Sequence, residues 1–258
     1  MIAIKSSMNV KFTGKNKEGD RMNYALIFAG GTGQRMNTVS LPKQFLKVHG
    51  APIIVHTIRH FQKCPSIDGI VVVCIKEFIG LMNELKEQYG LNKVMSVIEG
   101  GDTGQASIMN GLLFLKSLAN QDDIVLIHDG VRPLINQETI IKNIECVKKN
   151  GNCITTTKST ETIVITDGDN VTGTINRDNS KFGRAPQSFI LKDILKAHIS
   201  SKEKGLSFID SATMMSHFGF KLFTVDGPVN NIKITSPIDY FIFKAILDEA
   251  ESEQIKFL

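Results

Sequence analysis

Hydrophobic and polar residues alternate between two patterns along the chain from residue 24 onward. Short continuous apolar runs, which are typical of buried parallel strands, occupy residues 24–29, 69–75, 93–99, 123–129 and 152–157. Apolar spacing typical of amphipathic helices is found in residues 52–61, 77–90, 103–119 and 136–150. Strands that alternate with helical segments of about 12 residues predict parallel β-α-β units. We therefore expect an α/β fold with a mostly parallel sheet flanked by helices.

The ends of several elements carry recognisable signals. Gly90 closes the second helical segment, and Asn136 is placed to cap the fourth. Later in the chain, residues 220–226 predict a further strand and residues 236–251 a terminal helix.

Residues 161–176 depart from this alternation. Apolar and polar residues alternate there around the turn cluster DGDN at 167–170, which predicts a β-hairpin. A hairpin inserted in a parallel domain can serve as an arm for a partner subunit or as a lid. The plainer alternative is a surface excursion without a role.

Polar and glycine-rich segments follow three of the predicted strands. They are the loop from Gly30, the pair Gly100-Gly101 and the turn at His128-Asp129. Because the carboxyl ends of parallel strands meet at one edge of a sheet, ligands bind there. We expect these three segments to converge.

Composition narrows the class of protein. The 258 residues are 42% hydrophobic and 22% charged, which is ordinary for a globular protein. This length allows one large α/β domain or two small ones, and because no Pro/Ser-rich linker divides the chain, we expect one domain over residues 23–258. The net charge of +4 comes without a basic tail, so no nucleic-acid partner is expected. No apolar run reaches about 18 residues, so no membrane span is predicted.

The four cysteines form no C-x-x-C pair, which favours a reducing cytoplasm. Residues 1–22 are polar and predict a flexible extension.

The stretch AGGTGQRM at 29–36 could be a phosphate-binding loop. It fails as a P-loop because Gly33 is followed by Gln34-Arg35 rather than Lys-Ser/Thr. It fits the dinucleotide fingerprint poorly because Met36 replaces the third small residue. A nucleotidyltransferase loop remains: glycine backbone amides can surround phosphate oxygens, and Arg35 and Lys43 could approach a triphosphate. The plain alternative is that both cations are solvated surface charges.

AGGTGQRM followed by LPKQFL (41–46) resembles the nucleotide-binding signature of the cytidylyltransferases that activate polyol phosphates. That family includes 2-C-methyl-D-erythritol 4-phosphate cytidylyltransferase and ribitol-5-phosphate cytidylyltransferase. The resemblance continues through GGDTGQASI (100–108), HDGVRP (128–133), APQSF (185–189) and NIKIT (231–235). It implies a Rossmann-like nucleotidyltransferase domain whose β-arm is exchanged across a homodimer. It also implies Mg²⁺ and the transfer of CMP from CTP to a polyol phosphate, with release of pyrophosphate.

The same resemblance implies roles for individual residues. The catalytic cations would be Arg35, Lys43 and Lys233. The acceptor would meet Arg132, Thr162 and Arg177, the last from the other subunit. Asp129 would be the metal ligand. The nucleotide would be bound by Ala29, Gly30, Gly31, Gly33, Gly101, Asp102 and Ser107.

The sequence departs from the family pattern at several positions. Gly104 stands where the nucleotide motif usually has Arg, Ala185 where Thr is usual, and Glu161 where Asp is usual. AGGTG with LPKQF resembles the ribitol branch, as do Asn176-Arg177 and Gly183, whereas Asp102 and NIKIT occur on the erythritol side. The predicted acceptor is D-ribitol 5-phosphate, with 2-C-methyl-D-erythritol 4-phosphate as the alternative.

Other residues suggest chemistry that their surroundings in the sequence do not support. His56 and His60 are four residues apart, but Thr57 stands where a zinc protease motif needs Glu, so packing or surface roles are expected. His128 is expected to position its turn. A non-catalytic nucleotide sensor would keep the glycine loop, but it would have little reason to keep the charged residues as well.

Overall fold

The computed structural model describes residues 21–30 and 41–255, with the side chains of 253–255 excepted. Its strands are β1 (Asn23–Ala29), β2 (Lys47–Val48), β3 (Ala51–Pro52), β4 (Gly69–Cys74), β5 (Val94–Glu99), β6 (Ile124–Asp129), β7 (Asn152–Lys158), β8 (Ile163–Asp167), β9 (Asn170–Ile175), β10 (Lys181–Ile190) and β11 (Thr224–Asp226). Its α-helices are α1 (Ile53–Lys63), α2 (Ile79–Gln88), α3 (Gly104–Lys116), α4 (Gln137–Asn150), α5 (Leu191–Glu203), α6 (Ser211–His217) and α7 (Pro237–Ile255).

A seven-stranded sheet forms the centre of the described structure, in the order β11-β7-β10-β6-β1-β4-β5. Strands β1, β4, β5 and β6 pair in parallel, and so do β7 and β11. Strand β10 runs antiparallel to both of its neighbours, β6 and β7. The mostly parallel α/β fold predicted from the alternating pattern is confirmed.

Helices cover both faces of the sheet because successive strand residues point to opposite sides. On one face, Ala25 and Ile27 of β1 pack with the apolar sides of α1, α2 and α4. On the other face, Tyr24 and Leu26 pack with α3, α5 and α6. Both faces are therefore buried, which explains why the strands are continuous apolar runs. Helix α7 packs elsewhere, with Phe243 buried against Val48, Ile53 and Ile234.

The capping signals read from the sequence have their expected geometry. The side chain of Asn136 accepts a hydrogen bond of 2.9 Å from the backbone N–H of Thr139, which satisfies a donor at the start of α4. Gly90 follows α2 with a φ of +60°, a conformation that glycine adopts without a steric cost.

Part of the fold was missed or misplaced by sequence patterns. Residues 220–226 were predicted as one strand, but only Thr224–Asp226 pair with β7. The prediction was wrong for the first four residues. The carbonyl of Lys221 and the N–H of Phe223 bond to the side chain of Asn152 instead of to the backbone of β7. Strand β10 and helices α5 and α6 were not predicted.

The hairpin predicted at 161–176 is confirmed as β8 and β9, joined by a turn at Gly168. It forms a separate two-stranded sheet among the described strands. Its apolar residues Val164, Ile165 and Val171 are exposed by 47%, 51% and 63%. The hairpin therefore presents apolar side chains to its surroundings.

The predicted boundary between extension and domain lies near the start of the described residues. Met22, assigned to the extension, is buried, and its N–H donates to Oδ1 of Asp123 at 2.9 Å. Residues 1–20 lie outside the described part. Among the helices of the described residues, none combines the length and the apolar character that crossing a bilayer requires.

Candidate active site at the carboxyl edge of the sheet

Asp129, the last residue of β6, lies between two cations. Its Oδ2 accepts a hydrogen bond of 2.7 Å from Nε of Arg132, and its Oδ1 lies 2.6 Å from Nζ of Lys233. The carboxylate and Arg132 are buried, whereas 41% of the Lys233 side chain is exposed. A buried acid held by two cations can organise charge at a strand end where ligands bind.

Side-chain and backbone hydrogen bonds hold the segment before α7 against this strand end. Nη1 of Arg132 donates to the carbonyl of Asn231 at 3.0 Å, and the N–H of Ile234 donates to the carbonyl of Val131 at 2.9 Å. Nδ2 of Asn231 donates in turn to the carbonyl of Ala185 at 2.9 Å. Asn231 thus ties the loop after β6 to β10 and fixes the position from which Lys233 reaches Asp129.

The charge state of Asp129 follows from these contacts. Burial alone would raise its pKa, but the charges and hydrogen bonds of Lys233 and Arg132 outweigh that effect and lower the pKa to about 2. Asp129 is therefore an anion at neutral pH. The neighbouring His128 is fully buried, and burial lowers its pKa to about 4. Its Nε2 lies 3.2 Å from the carbonyl of Arg132, in keeping with the predicted role in positioning the turn.

Beside Asp129, at the ends of β1 and β5, four residues pack closely together. They are Gly30, Gly100, Gly101 and Ser107, and we call them the Gly30 corner. Ser107, buried in α3, accepts a hydrogen bond of 3.1 Å from the N–H of Gly101 and donates one of 3.2 Å to its carbonyl. A Cβ at Gly30 would lie 2.6 Å from Oγ of Ser107, and one at Gly100 would lie 2.9 Å from it. Three predicted nucleotide-binding residues, Gly30, Gly101 and Ser107, therefore come together, and a side chain at Gly30 or Gly100 would displace the hydroxyl of Ser107.

Lys43 and Ala29 belong to the same edge. Nε2 of Gln44 donates to the carbonyl of Ala29 at 2.8 Å. This bond joins the end of β1 to the short 3-10 helix Lys43–Phe45, in which Lys43 is buried. The predicted residues Gly31, Gly33 and Arg35 lie between these two segments and fall outside the described residues.

A cavity of about 450 Å³ opens at this edge. It lies between the start of α3, strand β10 and the segment 207–211, with Asp129, Arg132 and Lys233 in its wall. Gly104, which replaces the family's Arg, also lines it. A Cβ at Gly104 would find only Cε2 of Phe28 nearby, at 3.8 Å. The cavity is therefore open at the position where the family pattern has a longer side chain. Asp102, two residues earlier, is exposed.

Two residues of the cavity wall were missed by the sequence reading. Arg184 directly precedes the APQSF motif, and this adjacency in the sequence could have indicated that it belongs to the site. His198 lies in the unpredicted helix α5, and no pattern indicated it. Its Nε2 is buried without a hydrogen-bond partner among the described residues. Burial lowers the pKa of His198 to about 4, so the ring is neutral at pH 7.

Thr162 and Arg177 are not brought to the cavity wall. Thr162 precedes the hairpin and Arg177 follows it, and both are exposed. Nη1 of Arg177 contacts the carbonyl of Thr160 at 3.5 Å. In this chain the two predicted acceptor-binding residues therefore lie at the two ends of the β8–β9 hairpin.

His56 and His60 form no metal site together. Nε2 of His56 lies 2.8 Å from the carbonyl of Val48, and that of His60 lies 3.0 Å from the carbonyl of Pro133. These contacts agree with the packing roles expected for both histidines.

The donors present are compatible with a magnesium ion only if a ligand completes its coordination. No cluster of three or more His, Cys, Asp or Glu side chains suited to a metal occurs among the described residues. Each oxygen of Asp129 has one cationic partner and so keeps a free lone pair. Mg²⁺ is commonly bound through one or two carboxylates together with substrate phosphates and waters. Asp129 fits that pattern.

Comparison with known proteins agrees with this geometry. The sequence profile described as IspD, 2-C-methyl-D-erythritol 4-phosphate cytidylyltransferase, matches residues 24–249. The chain is 49% identical over 236 residues to a ribitol-5-phosphate cytidylyltransferase of Streptococcus agalactiae serotype V, covering 91% of this chain and 98% of that protein. It is 37% identical over 228 residues to a 2-C-methyl-D-erythritol 4-phosphate cytidylyltransferase of Clostridium acetobutylicum, covering 88% and 97%.

The fold has a close counterpart among solved structures. The crystal structure of 4-diphosphocytidyl-2C-methyl-D-erythritol synthase from Anaerococcus prevotii superposes with a TM-score of 0.77 at 30% identity, covering 88% of this chain and 96% of that one. The profile match includes both the Gly30 corner and the group formed by Asp129, Arg132 and Lys233. The chain therefore belongs to the IspD family of cytidylyltransferases.

Proposed function

We propose that this protein transfers CMP from CTP to D-ribitol 5-phosphate and so forms CDP-ribitol and pyrophosphate. The observation that carries the proposal is the buried Asp129 held by Arg132 and Lys233, beside the Gly30 corner. The choice of acceptor rests on the relative that is 49% identical and is named a ribitol-5-phosphate cytidylyltransferase.

The reaction is a substitution at phosphorus. An oxygen of the acceptor's phosphate forms a bond to the α-phosphorus of CTP, and the bond from that phosphorus to the bridging oxygen breaks. The electron pair leaves with pyrophosphate. A phosphate is already ionised near neutral pH, so the nucleophile needs no general base. Catalysis then depends on positioning and on cations that stabilise the charge on the phosphate oxygens.

The chain provides groups for both tasks. The backbone at Ala29 and Gly30, with the Gly101 turn, would hold the triphosphate, and Lys43 and Arg35 would approach it. Lys233, held by Asp129 at 2.6 Å, would stabilise the α-phosphate in the transition state. Asp129 would hold Mg²⁺, which supplies charge neutralisation on the triphosphate when bound.

The exposed β8–β9 hairpin, here called the arm, suggests that two subunits contribute residues to the complete site. Its apolar residues are exposed in one subunit, and Thr162 and Arg177 lie at its base, away from the cavity wall. We expect a homodimer in which Arg177 of each subunit binds the acceptor used by the other. Analytical ultracentrifugation should give a dimer for the wild type and a monomer for Val164→Lys/Val171→Lys. A monomeric wild type at micromolar concentration would refute this part of the proposal.

The mild charge and the cysteine pattern are in keeping with a reaction in the cytoplasm. The substrates there are small and anionic, and neither nucleic acid nor a membrane takes part in the proposed reaction.

The test is pyrophosphate release from CTP and Mg²⁺, run in parallel with D-ribitol 5-phosphate and 2-C-methyl-D-erythritol 4-phosphate. We expect kcat/KM to favour the ribitol compound by about tenfold or more, equivalent to about 1.4 kcal/mol in the transition state. The reverse preference would assign the erythritol reaction instead. Activity with neither would refute both acceptor assignments.

A pair of variants would assign the activity to this site. Lys43→Ala should abolish pyrophosphate release while the fold stays intact by circular dichroism, because the ammonium that would approach the triphosphate is removed. Lys47→Ala is the matched control, since Lys47 is exposed on β2. Equal activity of the two variants would exclude Lys43 from catalysis.

A further inference from the structure

Arg184 lies in a bulge of β10 that faces the cavity. Gly183 pairs with Thr156 of β7 and Gln187 pairs with Ile154, so β10 advances by four residues while β7 advances by two. The additional residues leave the ladder. Residues of a regular strand alternate between faces, yet Gly183, Arg184 and Ala185 all line the cavity. Bulges of this kind redirect side chains beside active sites.

The guanidinium of Arg184 has no carboxylate partner among the described residues. Its Nε donates to Oγ1 of Thr157 at 3.2 Å, and its Cζ lies 5.7 Å from the ring centre of Phe182. The other two positively charged side chains in the cavity wall, those of Arg132 and Lys233, are both paired with Asp129. Arg184 is half-buried, and burial together with the charge of Arg132 lowers its pKa. A half-buried cation without a counter-charge is suited to bind an anion.

The order of the strands indicates which anion this would be. The Gly30 corner lies at the ends of β1 and β5, Asp129 ends β6, and Arg184 lies on β10, on the far side of β6. In phosphoryl transfer the attacking and leaving oxygens lie roughly in line on opposite sides of the phosphorus. If the triphosphate occupies the Gly30 side, the attacking phosphate would approach through the cavity, whose wall includes residues of β10.

We propose that Arg184 binds the phosphate of the acceptor, from the same subunit that binds CTP. The assignment rests on the proposed function and adds a cation to the acceptor side that the family motifs do not predict. A planar guanidinium can donate two parallel hydrogen bonds to a phosphate. Arg177 would then approach the same acceptor from the other subunit, so that each subunit provides one arginine.

Three variants of the full chain test the assignment by pyrophosphate release. Arg184→Gln should raise the KM for the acceptor by about tenfold or more and change the KM for CTP by less than about twofold, as expected for the loss of one charge-assisted contact. Arg184→Lys should recover part of the lost acceptor affinity, since it restores the positive charge but not the two parallel hydrogen-bond donors of the guanidinium. Lys181→Gln is the matched control on the same strand, because Lys181 is exposed, pairs with Asp226 and does not line the cavity.

Two results would overturn the assignment. They are an unchanged acceptor KM in Arg184→Gln, or a rise in the KM for CTP alone. If Arg184→Gln does not fold by circular dichroism, Arg184→Met, which also removes the charge and keeps an unbranched side chain, decides by the same criterion.

A binding measurement separates this assignment from the proposed reaction. Should the wild type use neither polyol phosphate, the reaction would be refuted, and inorganic phosphate then serves as the probe for Arg184. It should raise the thermal unfolding midpoint of the wild type and of Lys181→Gln by more than that of Arg184→Gln, which keeps only the site proposed for the triphosphate. Equal shifts in all three proteins would refute the assignment.

Discussion

Lys233 and Asp129 come from distant parts of the chain, yet Nζ of the lysine lies 2.6 Å from Oδ1 of the carboxylate. Asp129 ends a central strand, whereas Lys233 belongs to the segment before α7, which is anchored by hydrogen bonds at Asn231 and Ile234. The contact therefore joins the sheet to the C-terminal part of the domain. It also means that a change at Asp129 alters both the charge of the site and the position of a candidate catalytic cation.

Asp129→Asn should reduce kcat for CDP-alcohol formation by about a hundredfold or more, the scale seen when one preorganised electrostatic group is removed. The neutral amide would leave Arg132 and Lys233 without their counter-charge and would lose a ligand for Mg²⁺. Asp226→Asn is the control, because Asp226 pairs with Lys181 at an exposed position and such pairs contribute little. Comparable kcat values for the two variants would contradict the role given to Asp129.

Asp129→Asn should also change how the free energy of unfolding depends on pH. The folded pKa of Asp129 is about 2, below the unfolded value of about 3.9, so its charged form stabilises the fold above the unfolded pKa. That contribution, on the order of 2 kcal/mol, is lost as the pH falls through the folded pKa. Urea denaturation should show a constant difference between wild type and Asp129→Asn from pH 7 to 5 and a shrinking difference below about pH 4.

Ser107→Ala should weaken CTP binding and destabilise the fold by about 1–2 kcal/mol. The hydroxyl makes two hydrogen bonds to Gly101, and Ala cannot replace either of them. Isothermal titration with CTP and urea denaturation would measure the two effects. Ser117→Ala is the comparison, since the hydroxyl of Ser117 bonds only to Phe114 at the exposed end of α3. Unchanged CTP affinity in Ser107→Ala would show that the Gly101 turn does not contribute to binding.

Gly104 and Gly111 lie on the same helix and should respond in opposite ways to substitution. Gly104→Arg should fold normally and lower the KM for CTP, because the position is open and the new cation would lie beside the triphosphate. Gly111→Ala should lower the free energy of unfolding by about 1–3 kcal/mol, because its Cβ would lie 2.2 Å from Cδ1 of Leu26. A raised KM for CTP in Gly104→Arg would show that the cavity needs the open space.

His198→Leu should flatten the dependence of stability on pH between 7 and 5. The folded pKa of His198 is about 4, below the unfolded value of about 6.5, so the unfolded chain binds the proton first. Stability present above the unfolded pKa is lost as the pH falls toward the folded value. At pH 5 the loss is about 2 kcal/mol, and it should be absent from the variant. Parallel urea midpoints for both proteins across this range would refute the prediction.

Sequence patterns predicted the parallel half of the sheet well because strands buried on both faces appear in the sequence as continuous apolar runs. Strands β1, β4 and β6 are continuous apolar runs, and their ends brought Gly30 and Asp129 to one edge as expected. The caps at Asn136 and Gly90 were also predictable, since they depend on local hydrogen bonds and local backbone conformation.

Strand β10 could not be predicted in the same way. Its first residues are exposed, its last residues are buried, and it carries a bulge, so neither a continuous nor an alternating pattern covers it. The bulge is a property of pairing with β7, and pairing partners are not visible in one sequence. For that reason Arg184 was missed although the motif that follows it was recognised. The contact of Lys233 with Asp129 likewise depends on long-range packing, and only the family resemblance suggested that both residues belong to one site.

The order of the sheet has a consequence for how this enzyme family could diversify. The strands on the Gly30 side, from β5 to β6, all precede Gly151, whereas β7, β10 and β11 all follow it. A genetic crossover near that glycine would exchange nearly the whole surface proposed to meet the acceptor, and of the surface proposed for CTP it would exchange only Lys233. New polyol specificities could therefore arise by recombination between relatives, without rebuilding the half of the gene that handles the nucleotide.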